Sequence, residues 1–193
     1  GKPLVLVLLE NRPRLITRVA GLCHAIIYAG QPGPHGGGAL YELLTGQFNP
    51  SGRLPFTYPR DPHNLLPYDH KHSDSVGPDG DTPGFNPLYE FGHGLSYTTF
   101  KYDKLEIAPG PLTQVDSLNL SVEVTNTGPR KGTETVHVFV RDLFAEIVPP
   151  VKRLRAFSQI ELSPGETKTV TFDIPVTDLA YFGPKNYPIL EPG

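Results

Sequence analysis

The chain has 193 residues, 17 Lys and Arg against 20 Asp and Glu, a net charge of −3, and hydrophobic and charged fractions of 38% and 19%. These values describe a globular chain of one or two domains without the basic footprint of a nucleic-acid binder. No apolar run approaches the ~20 residues of a membrane-spanning helix.

Residues 4–9, "LVLVLL", and 25–29, "AIIYA", are short, uniformly apolar runs, the pattern of strands buried on both faces of a parallel sheet. Cys23, the one cysteine, allows no internal disulfide and lies beside "HAIIYA", the setting of a buried inert thiol. After "GQPGPHGGG" comes "ALYELLTG", where Leu40, Leu43 and Leu44 share a helical face and Gly46 is a stop. "RLPFTYP" predicts a short edge strand between prolines. Two or three strands and one helix cannot cover a parallel sheet, so residues 1–60 are expected to be the tail of a larger α/β domain. With no methionine and an opening "GKPLVLVLLE" unlike a natural start, the chain is expected to be a piece of a longer protein.

Residues 61–96, rich in Pro, Gly, Asp and His, predict a long loop or linker. From residue 97 the pattern changes to period two. Leu118, Leu120, Val122 and Val124 alternate with polar residues, as do Val136, Val138 and Val140, and Val170, Phe172 and Ile174. "NTGPRKG" and "LSPGET" supply turns between them. The expected fold class is an α/β fragment, part of a parallel-sheet sandwich domain, followed by an all-β sandwich of the immunoglobulin or fibronectin type III kind over residues 97–193.

The chemistry-bearing motifs are weak. "GPHGGG" lacks the Lys-Ser/Thr of a phosphate-binding loop, and Pro32 and Pro34 remove two amide donors, so it predicts a tight strand-to-helix turn. "YDHKHSD" places His70 and His72 between Asp69 and Asp74. These residues can ligate a metal, but four suitably spaced ligands are not evident, which favours a solvated loop or one bordering a sugar pocket. Glu10, Glu42, Asp61, Asp69, Asp79, Asp81 and Glu90 are the candidate carboxylates outside the sandwich, and none has a local setting that marks a catalytic acid or nucleophile; most are expected to be surface charges. No Gly-x-Ser-x-Gly elbow supports acyl transfer. Asn119-Leu120-Ser121 matches the glycosylation triplet, a match common by chance.

Three stretches together resemble the C-terminal part of family 3 glycoside hydrolases, the β-glucosidases and β-xylosidases: "GGGALYELLTGQFNPSGRLPFTYPRD", "LYEFGHGLSYTTFKY" and "VEVTNTGPRKGTETVHVFVRD…VKRLRAFSQIELSPGETKTVTFDI". The resemblance implies a barrel and an (α/β)6 sandwich domain upstream. This chain is then the end of the (α/β)6 domain over 1–60, a linker over 61–96, and a fibronectin type III-like domain over 97–193 that lacks its last strand. It implies exo-acting, retaining hydrolysis of terminal β-linked glucose, with both catalytic carboxylates outside this chain, no cofactor and no metal. The chain alone is expected to be inactive. Its implied partners are the upstream segments and a β-linked oligosaccharide or glycoside, without nucleic acid or membrane; a homodimer is compatible, and the setting is secreted or periplasmic. The alternatives are a β-xylosidase or other exo-glycosidase, or a non-catalytic carbohydrate-binding or scaffolding module. Asp69 and His70 are the expected substrate contacts, because "YDHKH" resembles a loop able to approach the sugar. "YEFGHGLSYTTF" resembles the family's passage into the last domain, where Tyr89, Phe91, Tyr97 and Phe100 pin the linker and His93 has a packing role.

Overall fold

The computed structural model describes residues 1–62, 68–71 and 84–191. By contacts the chain divides into two units, Gly1–Phe48 with Arg53–Gly94, and Asn49–Gly52 with Leu95–Gly193.

In the first unit the two apolar runs form β1 (Val5–Leu9) and β2 (Ala25–Gly30), paired in parallel from Val5 opposite Ala25 to Leu8 opposite Tyr28. The connection carries a single turn of helix, α1 (Thr17–Ala20). Helix α2 (Gly36–Leu44) begins three residues ahead of "ALYELL" and takes in three glycines. Glycine ordinarily weakens a helix; here Gly36 is buried, and a Cβ on it would lie 2.6 Å from Pro32. The helix can start this early only with a bare α-carbon against that ring.

β1 and β2 are only partly covered within this chain, as two strands and one helix predict: Leu8 is buried, but Val5 and Leu9 are 41% and 63% exposed. Each strand has only the other as a described neighbour. One expectation changes: "RLPFTYP" is not a strand. Pro55 and Pro59 carry no amide hydrogen, so the ladder reduces to one bridge, Tyr58 opposite Tyr89. Piecewise bonds take its place: Leu54 N–H donates to His93 O and Gly92 N–H to Leu54 O, Tyr58 N–H to Tyr89 O and Leu88 N–H to Tyr58 O. Tyr58 thereby joins Leu8 and Ile16 in the buried core, with Leu6, Ile26, Tyr28, Phe56, Leu88 and Tyr89 around them.

The second unit is the all-β sandwich that the alternation predicts. One sheet is antiparallel in the order β3 (Phe100–Ile107), β4 (Ser117–Asn126), β7 (Thr167–Pro175); the other pairs β5 (Gly132–Val140) with β6 (Arg153–Leu162). A 3-10 turn, Val176–Leu179, leads to the short hairpin β8 (Tyr181–Phe182) and β9 (Pro188–Ile189). Leu120, Val122 and Val124 of β4 meet Val136, Leu162, Val170, Phe172 and Ile174 in one core. β5 breaks period two, burying Glu134, Thr135 and Val136 in succession. The two polar groups are satisfied: Tyr102 Oη donates to Glu134 at 2.7 Å, and Thr135 Oγ1 to the Ser51 carbonyl at 3.0 Å.

Two asparagines tie the loops of this unit. Asn126, fully buried, accepts from Thr98 Oγ1 and Gly128 N–H and donates to the carbonyls of Arg130 and Leu162, which fixes the turn "NTGPRKG". Asn49 holds the four-residue strap Asn49–Gly52. Its Oδ1 accepts from Ser96 Oγ at 2.9 Å and Tyr97 N–H at 2.7 Å, and its Nδ2 donates to Lys131 O at 3.0 Å.

Candidate functional site

The chemically furnished part of the first unit is built around Tyr58. Its ring meets Tyr28, Phe56 and Tyr89 at centroid distances of 6.4, 6.0 and 6.2 Å. Its hydroxyl donates to Glu10 Oε1 at 2.9 Å, and burial, then Glu10, hold the phenol well above its usual pKa. It is therefore a fixed donor. Glu10 follows the last residue of β1, and its N–H donates to Gly30 O at the end of β2. The carboxylate thus stands at the C-terminal edge of the parallel pair, where open α/β sheets place their ligands.

The arch Phe85–His93 encloses an open concavity of about 580 Å³, a size that suits a small ligand. Its aromatic side chains are already arranged. Tyr89 and His93 stack at 4.8 Å and 19°, and Phe91 meets Tyr68 edge-on at 4.9 Å. His70 lies flat on Phe85, centroids 3.5 Å apart and planes within 4°. His70 Nδ1 is enclosed and finds no hydrogen-bond partner among the described residues. Asp69 beside it is exposed. His72, Asp74, Asp79 and Asp81 lie outside the described residues. Among the described residues no three of His, Cys, Asp and Glu gather as metal ligands.

The aromatics of the segment "YEFGHGLSYTTF" are packed as the family resemblance implies. Tyr89 and Phe91 have the partners above, Arg130 lies over Tyr97 at 5.9 Å, and Phe100 packs on the sandwich core. His93 donates its amide to Glu90 O and accepts from Leu54. Glu10 departs from the surface charge that its sequence context predicts: it is half-buried and held. Its partner is 48 residues away, so no local signal marks it.

A family model described as the glycosyl hydrolase family 3 C-terminal domain matches residues 1–97, half of the chain. The chain belongs to this family. A fibronectin type III-like domain model matches residues 134–193. Along its whole length this family 3 chain is 38% identical to the lysosomal β-glucosidase of Dictyostelium discoideum and 36% identical to the periplasmic β-glucosidase of Salmonella typhimurium, covering 24% and 26% of those proteins. It is 35% identical to a β-xylosidase of Formosa agariphila, covering 27% of it. A β-glucosidase structure from Erythrobacter marinus superposes over 98% of this chain and 25% of its own, with a TM-score of 0.90 and 37% identity. The β-glucosidase from Listeria innocua, solved with glucose, covers the full chain at a TM-score of 0.90 and 31% identity. The chain spans about a quarter of the length of the curated relatives it matches.

Proposed function

We propose that this family 3 segment is the C-terminal portion of an exo-acting, retaining β-glucosidase, and that it shapes the enzyme rather than supplying the two catalytic carboxylates. What carries the reading is the whole-chain match to β-glucosidases at 36–38% identity, each matched over about a quarter of its length. In such a reaction one carboxylate attacks the anomeric carbon and a carboxylic acid protonates the departing oxygen, giving a glycosyl-enzyme that water then opens with net retention. Both groups would come from the upstream segments. The periplasmic relative supports work in a secreted or periplasmic setting. A β-xylosidase is the second reading, supported by the Formosa agariphila relative.

Within this reading Asp69 and His70 contact the sugar. The stack on Phe85 fixes the His70 ring beside the concavity that Phe85 lines, and this placement supports a contact with a ligand held there. The test is glucose release from the non-reducing end by the complete enzyme carrying this segment, with the configuration of the first product followed by NMR. Glucose set free as the α anomer removes the retaining mechanism. In the same enzyme His70→Ala and Asp69→Ala are expected to lower kcat/KM by about 5- to 150-fold, the equivalent of ~1–3 kcal/mol for a lost polar contact. Unchanged kinetics in both variants remove these residues from the site.

A further inference from the structure

We propose that Glu10 is a specificity-determining residue: held by Tyr58, its carboxylate accepts a hydroxyl of a saccharide at the C-terminal edge of β1 and β2. The inference rests on the reading of the segment as part of a β-glycosidase.

Position comes first. The Glu10 amide is bonded to Gly30 O at 3.0 Å, so the residue is fixed where both parallel strands end. In open α/β sheets this edge is where ligands bind.

The second observation is how the side chain is held. Tyr58 is 1% exposed, wedged among Tyr28, Phe56 and Tyr89, and tied through its own N–H and C=O to Tyr89 and Leu88. Neither ring nor backbone has room to follow a moving partner. A donor fixed in this way selects one rotamer of Glu10, and such support is what a binding side chain needs to act with defined geometry.

The third observation is what Glu10 lacks. Carboxylates fully withdrawn from water are normally paired with a cation; Glu10 is only half-buried and keeps room for a further polar partner. Arg12 and Arg14 follow closely, yet among the described residues no cation pairs with Glu10, and Tyr58 is its one side-chain hydrogen-bond partner, on Oε1. Oε2 keeps its capacity to accept. A carboxylate presented at a ligand edge, with no positive neighbour bonded to it, suits a neutral donor-rich ligand, and sugar hydroxyls make strong charge-assisted bonds to such an oxygen.

The experiment uses the complete enzyme carrying this segment, a β-linked glucose disaccharide, and the set of its monodeoxy analogues. Removing the hydroxyl that Glu10 accepts is expected to lower wild-type kcat/KM by about 10- to 100-fold at one ring position, because the site's carboxylate loses its donor. The double variant Glu10→Leu/Tyr58→Phe removes both polar partners together and leaves no buried orphan. In it the parent disaccharide should fall to the level of that one analogue, and the analogue should lose little more; the two losses are then not additive. Glu10→Gln, which keeps an oxygen for Tyr58, should show the same non-additivity in weaker form and stands in if the double variant does not fold. Losses that add at every ring position overturn the proposal, and so does a fall in rate that merely follows a fall in Tm, which would assign the pair to the fold. A wild-type enzyme that does not cleave the parent disaccharide, or any other β-glycoside, overturns instead the glycosidase reading on which the proposal rests.

Discussion

Asn49→Ala tests whether the strap Asn49–Gly52 is a working part of the sandwich. Asn49 makes three hydrogen bonds: from Ser96 Oγ and Tyr97 N–H to its Oδ1, and from its Nδ2 to Lys131 O. Its side chain is half-buried, so water can partly replace the lost partners. At about 1 kcal/mol per bond, reduced for that access, the substitution should cost roughly 2–3 kcal/mol. For a unit near a hundred residues this corresponds to a fall in Tm of about 10 °C. Asn49→Asp keeps the acceptor for Ser96 and Tyr97 but loses the donor to Lys131 O, so it should cost about 1 kcal/mol. The assay is thermal unfolding by circular dichroism together with hydrogen exchange. The loss should appear at the amides of Tyr97 and Thr99 and along β3 before it reaches β1. If Asn49→Ala unfolds within 0.5 kcal/mol of the wild type, or if β1 loosens while β3 does not, the strap is passive and the reasoning is wrong.

Gly132→Ala should destabilise the same unit by roughly 1–3 kcal/mol, since a Cβ there would lie 2.7 Å from Thr98 Cγ2 and 2.8 Å from Asn49 Nδ2. Combined with Asn49→Ala it should cost less than the sum, because one of the two obstacles is gone, and denaturant titration of the three variants measures this. Burial, then the neighbouring Glu191, pushes the Tyr181 phenol up to about 12, above the ordinary 10.0. A raised folded-state pKa contributes stability that is whole below pH 10 and is lost as pH rises towards 12, so Tm should fall across that window and Tyr181→Phe should flatten the fall. An equally steep fall in the variant would assign the alkaline sensitivity to other groups.

The parts of the fold legible in the sequence are those where one side chain in two decides the face. Leu120, Val122 and Val124, and Val170, Phe172 and Ile174, alternate in the sequence and are buried in the core. β5 was less legible because Glu134 and Thr135 are buried through partners at Tyr102 and Ser51, which no periodicity records. "FTYP" read as a strand from its β-formers, but the missing amides of Pro55 and Pro59 reduce it to one bridge. The same limit applies to the site. His70 and Asp69, the proposed sugar contacts, stand out by residue type, and the packing of Tyr89, Phe91 and Tyr97 is what the family resemblance implies. Glu10 does not stand out, because what distinguishes it from a surface charge is a hydroxyl 48 residues further on. Asn49 is hidden for the same reason, its partners lying 47 to 82 positions away.

The strap also bears on how such a module can be inherited. The sandwich is not one stretch of gene: four of its residues, Asn49–Gly52, are encoded more than forty codons before the remainder begins at Leu95. A recombination event that joined a foreign sandwich at a single crossover in the linker would leave the old strap facing a new Lys131 and Thr135. The graft succeeds only where both versions keep Asn49, a hydroxyl at position 135, and the bare α-carbon of Gly132. Crossovers upstream of residue 49 meet no such condition on the strap, so strap and sandwich are expected to descend as a single heritable block, and chimeras of family 3 enzymes joined before this point should express better than those joined after it.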